Sequence, residues 1–254
     1  MKNIIYGLWL FSYLLLSYFF FVERDFATSF YIWLGLIACV GLIKSQREPW
    51  KLLILIGACF TVLKALHFYS PFTMWPMDFY LVALFGYLLL RFGFRKTPEK
   101  LKWSFVFSKR EWASIFIINV PAVAILLWYF QLHPHVAEEF PELNVPTWGL
   151  PLVVLVMAAL NGLREEIFFR GLIQPESTSK NAPMWFVIAL QAVLFGFLHY
   201  AFSFPEGWVG VLMTAVWGAA ISFQYRLFKS ISLAWVTHTM ADAIMFGIIL
   251  CVRS

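Results

Sequence analysis

Ionisable side chains interrupt three apolar stretches in the second half of the sequence. The stretches are NGLREEIFFRGLIQP with Glu165, Glu166 and Arg170, FGFLH with His199, and HTMAD with His238 and Asp242. A carboxylate can act as a general base on water, imidazoles can hold or polarise a reacting group, and a cation makes such a cluster electrically tolerable. If the three stretches converge, their side chains therefore predict hydrolysis or proton transfer.

The spacing within the first stretch separates the two glutamates. On a helix, Glu166 and Arg170 are four residues apart and share a face, with the acid on the amino-terminal side, which favours an ion pair. Glu165 points about 100° away, on the same face as Asn161. Arg170 is therefore predicted to neutralise Glu166 while Glu165 stays available for chemistry.

The composition indicates that these groups lie in a membrane protein. Hydrophobic residues make up 61% of the chain and charged residues 13%, whereas soluble domains are roughly 45–50% apolar. An ionisable group at the centre of a membrane helix costs about 2.5–3.5 kcal/mol, so such groups usually face a protein interior or a wet cavity. The net charge of +5 is explained by basic cytoplasmic loops. No nucleic-acid partner is predicted.

The elements that position the charges are predicted to be transmembrane helices of about 20 residues. Nine apolar runs suit that length, and they predict an all-α, polytopic helix bundle: 4–22, 26–43, 52–69, 72–90, 112–132, 148–164, 184–200, 208–225 and 231–252. The first run is longer than a signal-peptide core and is predicted to be a retained anchor. Residues 1–147 would hold about five helices and the basic loop 91–111, and residues 148–254 the catalytic bundle.

The basic loops predict the orientation. Lys and Arg are concentrated after the second and fourth runs, and such loops face the cytoplasm. Alternation then places the amino terminus inside, the EEFPE loop outside, residues 164–180 inside and the CVRS tail outside. His199 would lie too far from the cytoplasmic side for Glu165 unless a short surface helix in PESTSKNAPM delays the next crossing.

Each charged group also has a simpler explanation. Arg164 to Arg170 could be the solvated end of a helix, His199 could sit at the interface beside Tyr200, and His238 with Asp242 could be a pair that only joins helices. The presence of an acid pair, an arginine, two histidines and an aspartate in three separate segments favours a shared site instead.

Together the motifs resemble the CAAX-protease and bacteriocin-processing family, which includes the Abi proteins and consists of glutamic intramembrane proteases. The pattern is E-E-x-x-x-R, then F-x-x-x-H from Phe195 to His199, then H-x-x-x-N/D from His238 to Asp242, over roughly residues 148–250. The five preceding helices lie outside it. The resemblance implies hydrolysis of a membrane-associated protein or peptide within the bilayer, without a cofactor.

The resemblance also implies roles for the residues. Glu165 would be the general base on a water, assisted by His199, while His238 and Asp242 would stabilise the oxyanion. Glu166, Arg170, Phe195 and Asn161 would support them. Prenyl-protein processing members have asparagine in place of Asp242, and an ionised aspartate cannot donate a hydrogen bond. Asp242 would then orient His238 or be protonated.

Other functions remain open at this stage. Buried Glu, His and Asp also suit a transporter or proton relay, although no broken paired repeats occur, and a non-catalytic scaffold or immunity protein is a third alternative. Relatives process prenylated carboxyl termini, bacteriocin leaders or sorting tails of bacterial surface proteins. The chain faintly resembles the sorting-tail branch, the exosortase-like JDVT-CTERM type, which suggests a bacterial cytoplasmic membrane.

Three further patterns receive structural interpretations. HPHVAEE, with His133, His135, Glu138 and Glu139, is predicted to be an exposed loop, so no metal site is predicted. Lys64 and His67 are predicted to reach the interface. Small residues recur at every fourth position of the eighth run and predict close helix packing: Gly210, Thr214, Gly218 and Ser222.

Overall fold

The computed structural model describes residues 2–23, 25–41, 47–69, 77–96, 100–139, 145–178, 182–202, 205 and 207–253. These residues form helices joined by short links, and they contain no β-strand. The predicted all-α class is confirmed.

A helix corresponds to each of the nine predicted apolar runs. The described residues add one short α-helix and two short 3₁₀-helices, Pro134–Glu139 and Thr147–Gly149. The α-helices are α1 Lys2–Ser17, α2 Phe26–Gly41, α3 Arg47–Tyr69, α4 Met77–Leu88, α5 Lys109–Leu132, α6 Leu150–Glu166, α7 Gln174–Ser177, α8 Met184–Phe202, α9 Gly207–Phe228 and α10 Ile231–Arg253. Wider π-helical turns continue α1, α4 and α6 over Tyr18–Val22, Leu89–Gly93 and Ile167–Ile173. The four-residue α7 lies at the start of the predicted surface helix, part of which is outside the described residues.

Four of the described helices are long and apolar enough to cross a membrane: Asn3–Val22, Lys109–Leu132, Gly207–Phe228 and Ile231–Cys251. Shorter apolar helices cover Ala27–Leu36, Lys51–Leu63 and Met184–Tyr200. Because roughly 20 helical residues are needed to cross the hydrocarbon layer, the predicted total of nine crossings is not confirmed by these lengths.

The chain forms two compact units that are both discontinuous in sequence. The first unit comprises residues 1–100 and 167–223, and the second comprises residues 101–166 and 224–254. The predicted division into 1–147 and 148–254 rests on motif content rather than on contacts, and it stays a separate prediction.

Aromatic rings and close helix packing hold the first unit together. The ring of Phe79 contacts that of Phe168 edge-on at 5.6 Å. A Cβ added at Gly218 would lie 2.9 Å from the Cβ of Phe195, so no larger residue fits there without movement. The close approach predicted for the small-residue stripe is thus confirmed at Gly218, where backbone and ring pack directly.

The second unit is built on α5, α6 and α10. Helix α5 begins with a capping box in which the Ser108 side chain accepts from the Glu111 amide and the Glu111 carboxylate accepts from the Ser108 amide. At the end of α9, the Gln224 amide donates to Ser114 on α5 at 2.9 Å and to Thr237 on α10 at 3.0 Å. These bonds fix α10 beside α5.

An extended segment, Leu101–Ser108, runs along the start of α10. The Ile231 amide donates to the Lys102 carbonyl at 3.1 Å. The Ser232 hydroxyl accepts from the Ser104 amide at 2.9 Å and donates to the Ser104 carbonyl at 2.5 Å. The first amide of α10, which has no partner inside its own helix, is thereby satisfied.

Candidate active site

Helices α6 and α10 carry the ionisable groups of the second unit, and a glycine lets them approach. A Cβ added at Gly162 would lie 3.3 Å from the Thr239 amide nitrogen and 3.4 Å from the Cβ of His238. A larger residue would therefore push the helices apart. Nearby, the Trp235 indole donates to the Ala159 carbonyl at 2.8 Å, which fixes the same pair of helices.

His238 lies at the centre of three carboxylates. Its Nδ1 is 2.7 Å from Oε1 of Glu166, while its Nε2 is 3.8 Å from Oε2 of Glu165 and 3.6 Å from Oδ1 of Asp242. A carboxylate oxygen accepts hydrogen bonds, so Nδ1 of His238 can donate its hydrogen to Glu166. The opposite edge of the ring then faces Glu165 and Asp242.

A second chain of hydrogen bonds joins Asp242 to Glu165. The Asn161 amide donates to Oδ2 of Asp242 at 2.9 Å, and its carbonyl oxygen accepts from Nε of Arg164 at 2.9 Å. The Arg164 guanidinium also lies 3.4 Å from Oε1 of Glu165. Asn161 and Arg164 therefore hold the two carboxylates that face Nε2 of His238.

The whole cluster is buried in protein. Arg164, Glu165 and Glu166 are 6%, 3% and 0% exposed, and His238 and Asp242 are 3% and 7% exposed. The simpler explanation, a helix end with solvated charges, does not apply to them. Carboxylates outnumber cations in this cluster, which suits it to receive and hold a proton in a low-dielectric environment.

Arg170 is described with the first unit. Its guanidinium donates to the Gly218 carbonyl at 3.0 Å and lies 5.3 Å from the centre of the Phe195 ring. It also lies 5.7 Å from the Phe169 ring and is fully buried. A guanidinium can lie near an aromatic ring and donate to a carbonyl at the same time. The predicted pairing of Arg170 with Glu166 stays a prediction.

His199 is buried on α8 rather than exposed at an interface. It is 7% exposed, its Nδ1 is 2.9 Å from the Phe195 carbonyl, and its ring lies 4.6 Å from the Phe195 ring. Because a carbonyl only accepts, Nδ1 carries the hydrogen and a neutral ring presents Nε2 as a proton acceptor. Phe195 thus holds both His199 and Arg170 in the first unit. The convergence of His199 on Glu165 stays a prediction.

The sequence interpretation missed Arg164 as part of the site. The spacing of Asn161 and Arg164 indicates a contact between them, because residues three apart share a helix face. Arg164 is also adjacent in sequence to Glu165. It was instead treated as one charge of a helix end.

Two further sequence patterns, HPHVAEE and Lys64 with His67, are described only in part. In HPHVAEE, His133 and His135 have ring centres 6.0 Å apart, while the side chains of Glu138 and Glu139 are outside the described residues, as are those of Lys64 and His67. Among the side chains that the structure does describe, no group of three His, Cys, Asp or Glu is arranged to hold a metal ion.

The sequence of this region matches a known family. Residues 147–244 match the family model described as type II CAAX prenyl endopeptidase Rce1-like. Residues 147–244 are therefore similar in sequence to this prenyl endopeptidase family. This Rce1-like segment covers just over a third of the chain and contains every predicted site residue from Asn161 to Asp242.

The match confirms the resemblance at the level of the protease family, and it does not confirm the sorting-tail branch. No curated protein and no solved structure matches the chain. The four long, apolar helices indicate an integral membrane protein, and residues 147–244 are similar to a peptide-hydrolase family.

Proposed function

We propose that this protein is an intramembrane endopeptidase that cleaves a membrane-associated protein near its carboxyl terminus or membrane anchor. The observation that carries the proposal is the buried cluster of Glu165, Glu166, His238 and Asp242 inside the Rce1-like segment. Buried carboxylates around an imidazole suit proton transfer, and lipid offers no other partner for these charges.

Glu165 is proposed as the general base on a water molecule. Oε2 of Glu165 and Nε2 of His238 are 3.8 Å apart, which is too long for a direct hydrogen bond but short enough for both atoms to contact one water oxygen. Glu165 removes a proton as the water oxygen bonds to the peptide carbonyl carbon. The proton then passes to the amine nitrogen as the C–N bond breaks, which restores the carboxylate. His199 is proposed to assist Glu165.

His238 is proposed to stabilise the developing oxyanion, with Asp242 as its support. Asp242 accepts from Asn161, and its Oδ1 lies 3.6 Å from Nε2 of His238, which suits an acceptor that orients the ring. A donor placed where charge develops is most effective in a dry site. Of the roles considered for Asp242, orienting His238 therefore has the better support. Glu166, Arg164, Asn161, Arg170 and Phe195 are positioning residues.

The proposed site acts in a bacterial cytoplasmic membrane, with the amino terminus inside. The substrate is proposed to be a protein held in the same membrane, such as one with a lipidated carboxyl terminus or a hydrophobic sorting tail. Glu165 and His238 are proposed to act on the peptide bond itself. The membrane anchor of the substrate therefore positions the bond and takes no part in the chemistry.

The test compares cells that express the wild type with cells that express Glu165→Gln. Mass spectrometry identifies peptides that mark new carboxyl termini of membrane proteins. One protein identified in this way is then used as the substrate in a cleavage assay with the purified enzyme. Because the change removes the base and preserves the shape, we expect a rate loss of about 10²- to 10⁴-fold.

Glu23→Gln is the matched control, since Glu23 is an exposed carboxylate that bonds Tyr18 outside the cluster. It should leave cleavage unchanged. Equal cleavage by the wild type and Glu165→Gln would remove Glu165 as the base. Loss of solute transport with no cleavage product in any strain would favour a transporter.

A further inference from the structure

The extended segment that precedes α5 has an unusual surface. Its aromatic and aliphatic side chains are largely exposed, with Trp103 45%, Phe105 60% and Val106 88% exposed. Trp112, in the first turn of α5, is also 44% exposed. We call residues Leu101–Trp112 the entry segment. In water, a patch of this kind is unfavourable unless it is covered.

Two membrane spans of the second unit start at the entry segment. Lys109 begins α5, and the Ile231 amide, which begins α10, is bonded to the Lys102 carbonyl. Both Lys109–Leu132 and Ile231–Cys251 have the length and composition of membrane-crossing helices. A segment that joins the starts of two spans lies at the edge of the hydrocarbon layer, where Trp residues are enriched.

Exposed basic side chains lie on and beside the entry segment. Lys102, Lys109 and Arg110 are exposed on the entry segment, and exposed Lys229 is two residues before Ile231. The acidic side chain of the entry segment, Glu111, accepts two hydrogen bonds from Ser108 as part of the capping box. The segment therefore presents a positive rim beside exposed aromatic rings.

We propose that the entry segment binds the anionic headgroups of the surrounding lipid leaflet. The rings of Trp103 and Phe105 would lie among the glycerol and upper acyl groups, while Lys102, Lys109 and Arg110 contact phosphate oxygens. Basic residues near an anionic membrane surface favour binding by about 1 kcal/mol each, or about fivefold per residue. A soluble protein partner would fit the rings, but the combination with cations at two span starts favours lipid.

The binding also stabilises the start of α10. The rings of Trp103 and Phe105 pack edge-on against Trp235, with centroids 6.2 and 5.9 Å away. Trp235 in turn donates to the Ala159 carbonyl on α6. Holding the entry segment at the headgroups therefore holds the contact that sets α6 against α10. The lipid site itself does not depend on the proposed protease activity.

The first experiment measures lipid preference. The full-length protein is purified from membranes made of equal parts phosphatidylcholine and phosphatidylglycerol, and the lipid retained after mild detergent washing is measured by mass spectrometry. Neutralising Lys102, Lys109 and Arg110 together to glutamine should lower the retained ratio of phosphatidylglycerol to phosphatidylcholine by at least about fivefold. Raised salt should lower the wild-type ratio as well.

The matched control keeps the charge at the same positions, with Lys102→Arg, Lys109→Arg and Arg110→Lys, and should leave the ratio unchanged. Removing positive charge at Lys109 and Arg110 does not weaken α5, because cations are unfavourable at a helix amino terminus. The triple variant is therefore expected to fold, as circular dichroism will show. An equal fall in both variants, or no fall in either, would overturn the proposed headgroup site.

The second experiment locates the segment. A nitroxide is attached at Val106→Cys in a variant without the three native cysteines, and the protein is placed in nanodiscs that contain phosphatidylglycerol. We expect the nitroxide to collide with oxygen and to be shielded from a water-soluble nickel chelate, to the degree found at headgroup depth. Free access of the nickel chelate would place the segment in water, and shielding from both reagents would indicate a protein cover; either result overturns the proposal.

Discussion

The imidazole of His238 bonds Glu166 through Nδ1 at 2.7 Å and turns Nε2 towards Glu165. Adjacent glutamates on α6 therefore contact the two opposite nitrogens of one ring on α10. This arrangement divides their functions, because one carboxylate fixes the tautomer and the orientation of the ring while the other can act on water. The predictions below test that division.

Glu166 is predicted to act by holding His238. Glu166→Ala should lower kcat by about 10- to 100-fold, because a hydrogen bond to a charged group contributes about 1.5–3 kcal/mol. Glu166→Gln should lose less, since its amide oxygen still accepts from Nδ1. KM should change little in both variants. The measurement is steady-state cleavage of the identified substrate, with thermal unfolding in detergent as the check of folding. If Glu166→Ala had the same kcat as the wild type, Glu166 would not be needed to hold His238.

Asp242 is predicted to tolerate an isosteric amide and not an aliphatic side chain. Asp242→Asn keeps an oxygen to accept from Asn161 and should retain activity within about tenfold, the equivalent of about 1.4 kcal/mol. Asp242→Leu leaves the Asn161 amide and Nε2 of His238 facing hydrocarbon, so we expect at least about a 100-fold loss. Cleavage assays on the two variants at matched protein concentration distinguish these outcomes. Equal loss in both would show that the charge itself is essential.

The contact at Gly162 is predicted to set the distance between α6 and α10. Alanine at this position must move Thr239 or His238, whereas a Cβ at Gly247, also on α10, meets no atom within 4 Å. Gly162→Ala should therefore be less stable than Gly247→Ala by about 1–3 kcal/mol, the usual cost of overpacking. Denaturant unfolding in micelles gives the comparison. If the two variants were equally stable, the close contact would have no energetic consequence.

Arg170 is predicted to need its guanidinium. Arg170→Lys keeps the charge but loses the planar group that lies against Phe169 and Phe195 and reaches the Gly218 carbonyl. We expect a loss of about 1.5–3 kcal/mol in unfolding free energy. Arg95→Lys, at an exposed site, is the control and should unfold like the wild type. A stable, fully active Arg170→Lys protein would contradict this role.

Helix positions and motif residues could be predicted from the sequence because both depend on local patterns. The run 208–225 corresponds to α9 Gly207–Phe228, and the run 231–252 corresponds to α10 Ile231–Arg253. The conjunction of acid pair, arginine, histidines and aspartate likewise indicated the protease family, which the match over residues 147–244 confirms. Apolar length and motif spacing are properties of single helices, so one sequence is enough to show them.

The partners of the charges could not be predicted in the same way. Spacing along one helix favours Arg170 as a partner of Glu166, and that pairing stays a prediction. The same spacing gives no signal for the bond between Glu166 and His238, which lies 72 residues later. Helix α10 approaches α6 closely at Gly162, and no local sequence pattern indicates that pairing. The π-helical turn Ile167–Ile173 was also missed, since its wider winding has no distinct residue signature.

The 72-residue separation between Glu166 and His238 has a consequence for biosynthesis. At about 5–20 residues per second, the ribosome completes His238 roughly 4 to 14 s after the acid pair. During that interval α6 has no imidazole partner from α10, so the proposed site can form only after α10 has been made.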